Sequence, residues 1–253
     1  MKSILRSDLE EYLAQYLNTN FFKDYCPNGL QVEGKSEIKR IATALSANLM
    51  TLQKCIEEKV DALIVHHGLF WDRDPYPLIG SKRTKIELLL KHGISLFAYH
   101  LPLDAHREIG NNWQAAHDLG WEELAPFGEY NGNLIGVKGS FAPESIEAFI
   151  AKLEVYYGHP AALALGGKRG VKSAALVSGG AYKELSQAAR EGVDCYITGN
   201  FDEPAWGVAF EEQVNFLALG HSATERVGPK ALADHLQNKF SVESFFLDVP
   251  NPF

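Results

Sequence analysis

The chain has 253 residues, with 24 Lys and Arg against 32 Asp and Glu, a formal charge of −8 and 46% apolar residues. That composition excludes collagen, extended disorder and coiled coil, and no apolar run reaches the roughly 18 residues of a membrane span. Three cysteines (Cys26, Cys55, Cys195) cannot build a disulfide framework and point to a reducing compartment. The opening MKSILRSDLEEYL acquires charge too early for a signal peptide, so a cytoplasmic protein is expected. The negative balance counts against nonspecific nucleic-acid binding.

In chain order, Ser7 with Glu10 fits a capping box ahead of an amphipathic helix carrying Leu9, Leu13 and Leu17. The string CPNGLQVEG at 26–34 reads as a loop. RIATALS (40–46) reads as a strand, followed by a helix with Leu49, Leu52 and Ile56 at helical spacing. DALIVHHG (61–68) reads as a buried strand ending in two histidines. Residues 81–91 read as a helix closed by Gly93, and ISLFAYH (94–100) as another strand. Beyond a soft boundary near 126, NLIGVKGSF (133–141) reads as a strand and 143–158 as a helix begun by Pro143. SAALVSG (173–179), VDCYITGN (193–200) and VNFLALGH (214–221) read as strands, with helices at 182–191 and around 224–237. Alternating strands and helices predict an α/β protein with a partly parallel sheet, in two lobes at 1–125 and 126–253, the C-terminal segment free to return to the first.

An internal repeat supports two similar lobes. VDALIVHH from Val60 matches VDCYITGN from Val193, and RIATALSAN matches SAALVSGGA, at a constant offset of 133 residues. Farther on the offset becomes 121, so that ISLFAYHLPLD overlays NFLALGHSATE, His100 falls on His221 and Asp104 on Glu225. Two unrelated strand–helix–strand units would share apolar grammar by chance. Coincidence of the polar positions favours duplication, with polar strand ends facing a shared cleft.

The nine histidines carry the chemistry to be weighed. His66 and His67 end a buried strand, where adjacent side chains point to opposite faces. Both reach one site if the chain bends at Gly68; otherwise each serves a different ion, or one supports the other. His100 with Asp104, and His221 with Glu225, are each four residues apart, on one helical face or across a tight turn. Any one of these pairs is common in structural settings. Three polar clusters, each following an apolar strand, are more specific. Imidazole with carboxylate suits Zn, Mn, Fe or Ni over Ca, and no cysteine near these motifs offers a thiolate. His92 sits at a predicted helix C-terminus, and His106, His117, His159 and His235 read as surface or structural residues. P-loop, dinucleotide-binding and nucleophile-elbow motifs are missing.

The strings NGLQVEG (28–34), VDALIVHHGLFW (60–71), YHLPLDAHREIGNN (99–112), VSGGA (177–181), VDCYITGN (193–200), GHSATERVG (220–228) and DVPNPF (248–253) together resemble the GTP cyclohydrolase I type 2 homologue family, also called Nif-three-like. The resemblance covers most of the chain in order. It implies a two-lobed α/β fold, a dinuclear metal site in the cleft, and a toroidal homohexamer. Carried over residue by residue, the implied ligands are His66, His67, Asp104, His221 and Glu225. They would hold two divalent ions, with Zn, Fe, Mn, Ni and Mg all open. His100 is not required as a ligand and becomes a candidate supporting residue. Asn200 stands where an acidic residue is more usual, which puts the role of that position in doubt. The stretch 126–172 is too short for the extra domain of longer relatives. The implied function is a metal-dependent hydrolase acting on a nucleotide-like substrate. The alternative is a non-enzymatic metal handler or scaffold, and nucleic-acid binding by a ring is the weaker third reading.

Overall fold

The computed structural model describes residues 2–253. Short β1 (Ile4–Leu5) leads into α1 (Arg6–Tyr16), which buries Leu9 and Leu13. The expected capping box is not used: Leu5 holds the N-cap, and Ser7, inside the helix, bonds to Asp8. The Arg6 amide donates instead to Ser36 O. The supposed loop at 26–34 contains a strand, β2 (Gly29–Val32), ahead of β3 (Glu37–Ile38) and β4 (Arg40–Ser46). In α2 (Leu49–Glu57), Asn48 caps the Thr51 amide, and β5 (Ala62–His67) follows. Next, α3 (Gly80–His92) ends on Gly93 at φ 64°, as its sequence predicts, and leads to β6 (Ser95–Ala98). Two short helices, α4 (Leu101–Ala105) and α5 (Asn111–Asp118), follow.

β7 (Glu122–Tyr130) and β8 (Asn133–Ser145) form a hairpin through Asn131 and Gly132, both at positive φ, as a two-residue Asn-Gly turn requires. Pro143 lies in β8 and does not start the next helix. Ser145 caps α6 (Ile146–Tyr157) through the Ala148 amide. Then come β9 (Ala162–Leu165), β10 (Gly170–Leu176), α7 (Leu185–Arg190), β11 (Cys195–Thr198), α8 (Glu203–Glu211) and β12 (Asn215–Ala218). The helix expected around 224–237 is two: α9 (His221–Glu225) and α10 (Val227–Phe240), before β13 (Glu243–Phe246).

The two larger sheets share a plan. One has the order β13-β4-β5-β6-β2 and the other β7-β8-β10-β11-β12-β9. In each, three parallel strands (β4-β5-β6 and β10-β11-β12) are followed by an antiparallel neighbour. The repeat reaches individual hydrogen bonds. Asp61 accepts from the Lys39 amide at 3.0 Å, and Asp194, 133 residues later, accepts from the Lys172 amide at 3.0 Å.

Packing divides the chain into Met1–Leu103 with Gly228–Pro250, and Asp104–Val227 with Asn251–Phe253. The boundary expected near 126 falls instead inside β7, an edge strand that needs its sheet. Residues 228–250 join the first unit because β13 pairs parallel to β4. Each unit buries its own apolar core, one around Leu52, Leu63, Val65 and Leu96, the other around Phe149, Leu176, Ile197 and Leu217. Truncating Leu217 to alanine is expected to cost about 2–5 kcal/mol, as a drop in the urea midpoint at unchanged slope. Among the described residues no helix is long and apolar enough to cross a membrane.

Candidate metal centre

In the first unit, β5 delivers His66 and His67, and the turn after β6 delivers His100. His66 and His67 leave the end of β5 with ring centroids 4.7 Å apart, and His100 lies 4.9 Å from His66 and 5.8 Å from His67. The three offer ligand atoms within 4.8 Å of one another and could hold a metal ion. Strand alternation does not separate the pair at this terminus. Gly68 is required there for space, since a Cβ would meet the Gln31 amide and Ala98.

The hydrogen bonds fix which ring nitrogen is left to bind. His66 Nδ1 lies 3.2 Å from the Tyr99 carbonyl, which only accepts, so Nδ1 carries the proton and Nε2 the lone pair. His100 Nδ1 lies 2.9 Å from Asp24 Oδ1, and His67 Nδ1 3.1 Å from Ser46 Oγ. Imidazoles anchored through one nitrogen and presenting the other are the usual state of metal-binding histidine.

Asp24 is the residue that sequence reasoning missed. Its carboxylate accepts from the amides of Cys26 and Leu101, from Asn28 Nδ2, and from His100. Burial works to raise its pKa. The His100 hydrogen bond and charge, then the Cys26 and Asn28 bonds, outweigh that and hold it below the ordinary aspartate value. No spacing motif marks Asp24, because its main partner is 76 residues away. Burial also pushes the nearby Cys26 thiol up to about 12, so it is protonated and not a thiolate ligand.

In the second unit, Asp104 and Glu225 are buried carboxylates. Asn111 Nδ2 and Ser178 Oγ both donate to Asp104 Oδ1 at 2.9 Å, which orients that group. His221 Nε2 lies 2.9 Å from Glu225 Oε2, and its Nδ1 lies 3.2 Å from Asn200 Oδ1. Asn200 thus keeps an acceptor behind His221 although it is not acidic. Gly179, at φ 69°, leaves the space that Glu225 occupies: a Cβ there would overlap Oε1 and come within 3.3 Å of His221 Nε2. His66 and His100, each anchored through Nδ1 to an acceptor, together with buried oriented carboxylates and a glycine cradle, fit a divalent ion.

The remaining histidines behave structurally. His106 Nδ1 accepts two backbone amides at 108 and 109, and His235 stacks on Tyr16 at 4.2 Å.

A model of the Duf34/NIF3 (NGG1p interacting factor 3) family matches residues 4–252. The chain belongs to the Duf34/NIF3 family. It is 52% identical to a Chlamydia pneumoniae protein named GTP cyclohydrolase 1 type 2 homolog, over 98% of this chain and 99% of that one. Among solved structures it is similar to protein ybgI, described as of unknown function (TM-score 0.92, 36% identity, covering 99% of this chain and 100% of that one). It is also similar to TTHA1606 from Thermus thermophilus (TM-score 0.90, 37% identity, the same coverage). Both likenesses agree with the α/β family fold expected from the sequence.

Proposed function

We propose that this family member is a cytoplasmic, metal-dependent hydrolase acting on a nucleotide-like substrate, with two divalent ions held by His66, His67, Asp104, His221 and Glu225. The observation that carries the reading is the set of anchored histidines: His66 must present Nε2 because Nδ1 is committed to a carbonyl, and His221 is backed by Asn200. The relatives' name, GTP cyclohydrolase 1 type 2 homolog, supplies the substrate class. When bound, divalent ions lower the pKa of water toward about 7 and polarise a carbonyl or phosphoryl oxygen.

The chain's own residues do the rest. Tyr99 holds His66 in one tautomer, while Ser46 and Asn200 anchor the rings of His67 and His221. Asn111 and Ser178 aim Asp104. Asp24 holds His100, whose remaining nitrogen faces the same group and can take up or release a proton beside it.

Purified protein loaded with Zn, Mn or Fe and incubated with GTP is expected to release formate above a His66→Ala control. The control is expected to lose more than tenfold in retained metal by elemental analysis. Metal retention without turnover of GTP or of a phosphoester panel overturns the hydrolase reading and leaves a metal-handling role.

The assembly proposed is a toroidal homohexamer. The exposed apolar side chains Tyr76, Leu78, Ile79 and Leu90 on α3 and the loop before it support association of copies. Sedimentation is expected to give six times the chain mass, and Ile79→Glu with Leu90→Glu to shift it to smaller species.

A further inference from the structure

We propose that Tyr25 and Trp71 form a stacking platform for a planar heterocyclic ring, the base of a nucleotide, beside the histidine group. Their rings lie 5.5 Å apart and 32° from parallel. His100 stands edge-on to both, at 4.9 Å and 74° from Tyr25 and at 5.3 Å and 82° from Trp71. Trp71 is also 6.0 Å from His67. The pair therefore adjoins two of the three clustered imidazoles.

The platform is held before any ligand arrives. The Asp72 amide donates to Tyr25 O at 2.9 Å, tying the loop after β5 to the loop before β2. The Asp74 amide closes a turn onto Trp71 O, and the Leu69 amide donates to Gln31 Oε1 at 2.8 Å. The rings are nevertheless not buried core: Tyr25 is 42% exposed and Trp71 half-buried. A single exposed aromatic is ordinary on a protein surface. Two adjoining rings tilted by 32°, fixed by backbone bonds against a histidine cluster, make a surface that a flat π-system covers.

The class of ligand follows from the neighbours. Aromatic faces also attract cations, but divalent ions on the adjoining histidines would repel a cationic ligand. A neutral base carrying an anionic phosphate satisfies both halves, with the ring on Tyr25 and Trp71 and the anion toward the ions. This assignment rests on the reading of the histidines as part of a metal centre.

The test is isothermal titration of the metal-loaded full chain with GMP and, separately, with ribose 5-phosphate, which lacks the base. GMP is expected to bind at least tenfold more tightly. Tyr25→Leu and Trp71→Leu are each expected to weaken GMP about tenfold, leaving ribose 5-phosphate and metal content unchanged, while Tyr25→Phe and Trp71→Phe restore the preference. Equal affinity for the two probes, no binding of either, or a Tyr25→Leu protein that keeps its preference for GMP overturns the platform. So does equal loss of both probes, which would mean that the rings only support the histidines. Should Trp71→Leu fail to fold, the more exposed Tyr25 decides the question alone. Formate release by a wild-type protein that binds GMP no more tightly than ribose 5-phosphate removes the platform and spares the hydrolase. Base preference without turnover does the reverse.

Discussion

Replacing Gly179 with alanine is expected to destabilise the second unit by about 2–5 kcal/mol and to lower metal retention together with it. Two costs add. At φ 69° an L side chain costs roughly 1–2 kcal/mol of backbone strain. The new methyl group would also overlap Glu225 Oε1, and forced overpacking costs about 1–3 kcal/mol. The backbone cannot step aside. The Gly179 amide donates to Thr224 Oγ1, while its carbonyl accepts from the amides of Gly199 and Asn200 and from Thr198 Oγ1. The carboxylate must yield, and with it the geometry toward His221. Two other glycines separate the contributions. Gly132→Ala has a similar φ of 83° with nothing near its Cβ, so it reports backbone strain alone. Gly180→Ala meets Asn200 Nδ2 at 3.3 Å and is expected to be mild. Thermal melts and elemental analysis of the three variants measure both effects. Retained metal equal to wild type in Gly179→Ala would show that Glu225 does not bind it.

The strands and the histidine clusters are legible in the sequence because both are local signals. Apolar runs such as ALIV and CYI are sheet interiors, and β4-β5-β6 and β10-β11-β12 recover the repeat in parallel order. Gly93 shows the same locality at a helix end. What is not legible depends on distant partners. β2 hides in a turn-rich string, and it is a strand because β6 pairs with it antiparallel across a register shift. Pro143 has the look of a helix start, but the strand runs past it and Ser145 supplies the cap. In the candidate site, residue types point to His66, His67, Asp104, His221 and Glu225, whereas Asp24, Ser178 and Asn111 act through hydrogen bonds that no spacing encodes. Tyr25 and Trp71 belong with these. Their aromatic character is plain, but their meeting is set by the fold.

Asp24→Ala is expected to be the second large effect, at about 3–5 kcal/mol, because it strands several donors at once. His100 Nδ1, the Leu101 and Cys26 amides and Asn28 Nδ2 all point at one carboxylate whose side chain is 2% exposed. Asp24→Asn keeps the volume but turns one acceptor oxygen into a donor facing another donor, so it is expected to recover only part of the loss. The pH dependence has a definite sign. A carboxyl held below its ordinary value contributes stability that is fully present above the unfolded pKa of about 3.9. That contribution fades as pH falls through the lower folded value. The gap between wild type and Asp24→Asn in urea midpoint is therefore expected to be widest near pH 7 and to narrow in acid. A gap that stays constant from pH 7 to pH 3 would mean that the carboxylate charge contributes nothing and that Asp24 acts by shape alone. Because Asp24 also holds His100 beside His66 and His67, the same variants are expected to lose metal by about 10–100-fold in affinity at neutral pH, where the fold persists. A metal affinity unchanged in Asp24→Asn would separate His100 from the centre and leave Asp24 a purely structural residue.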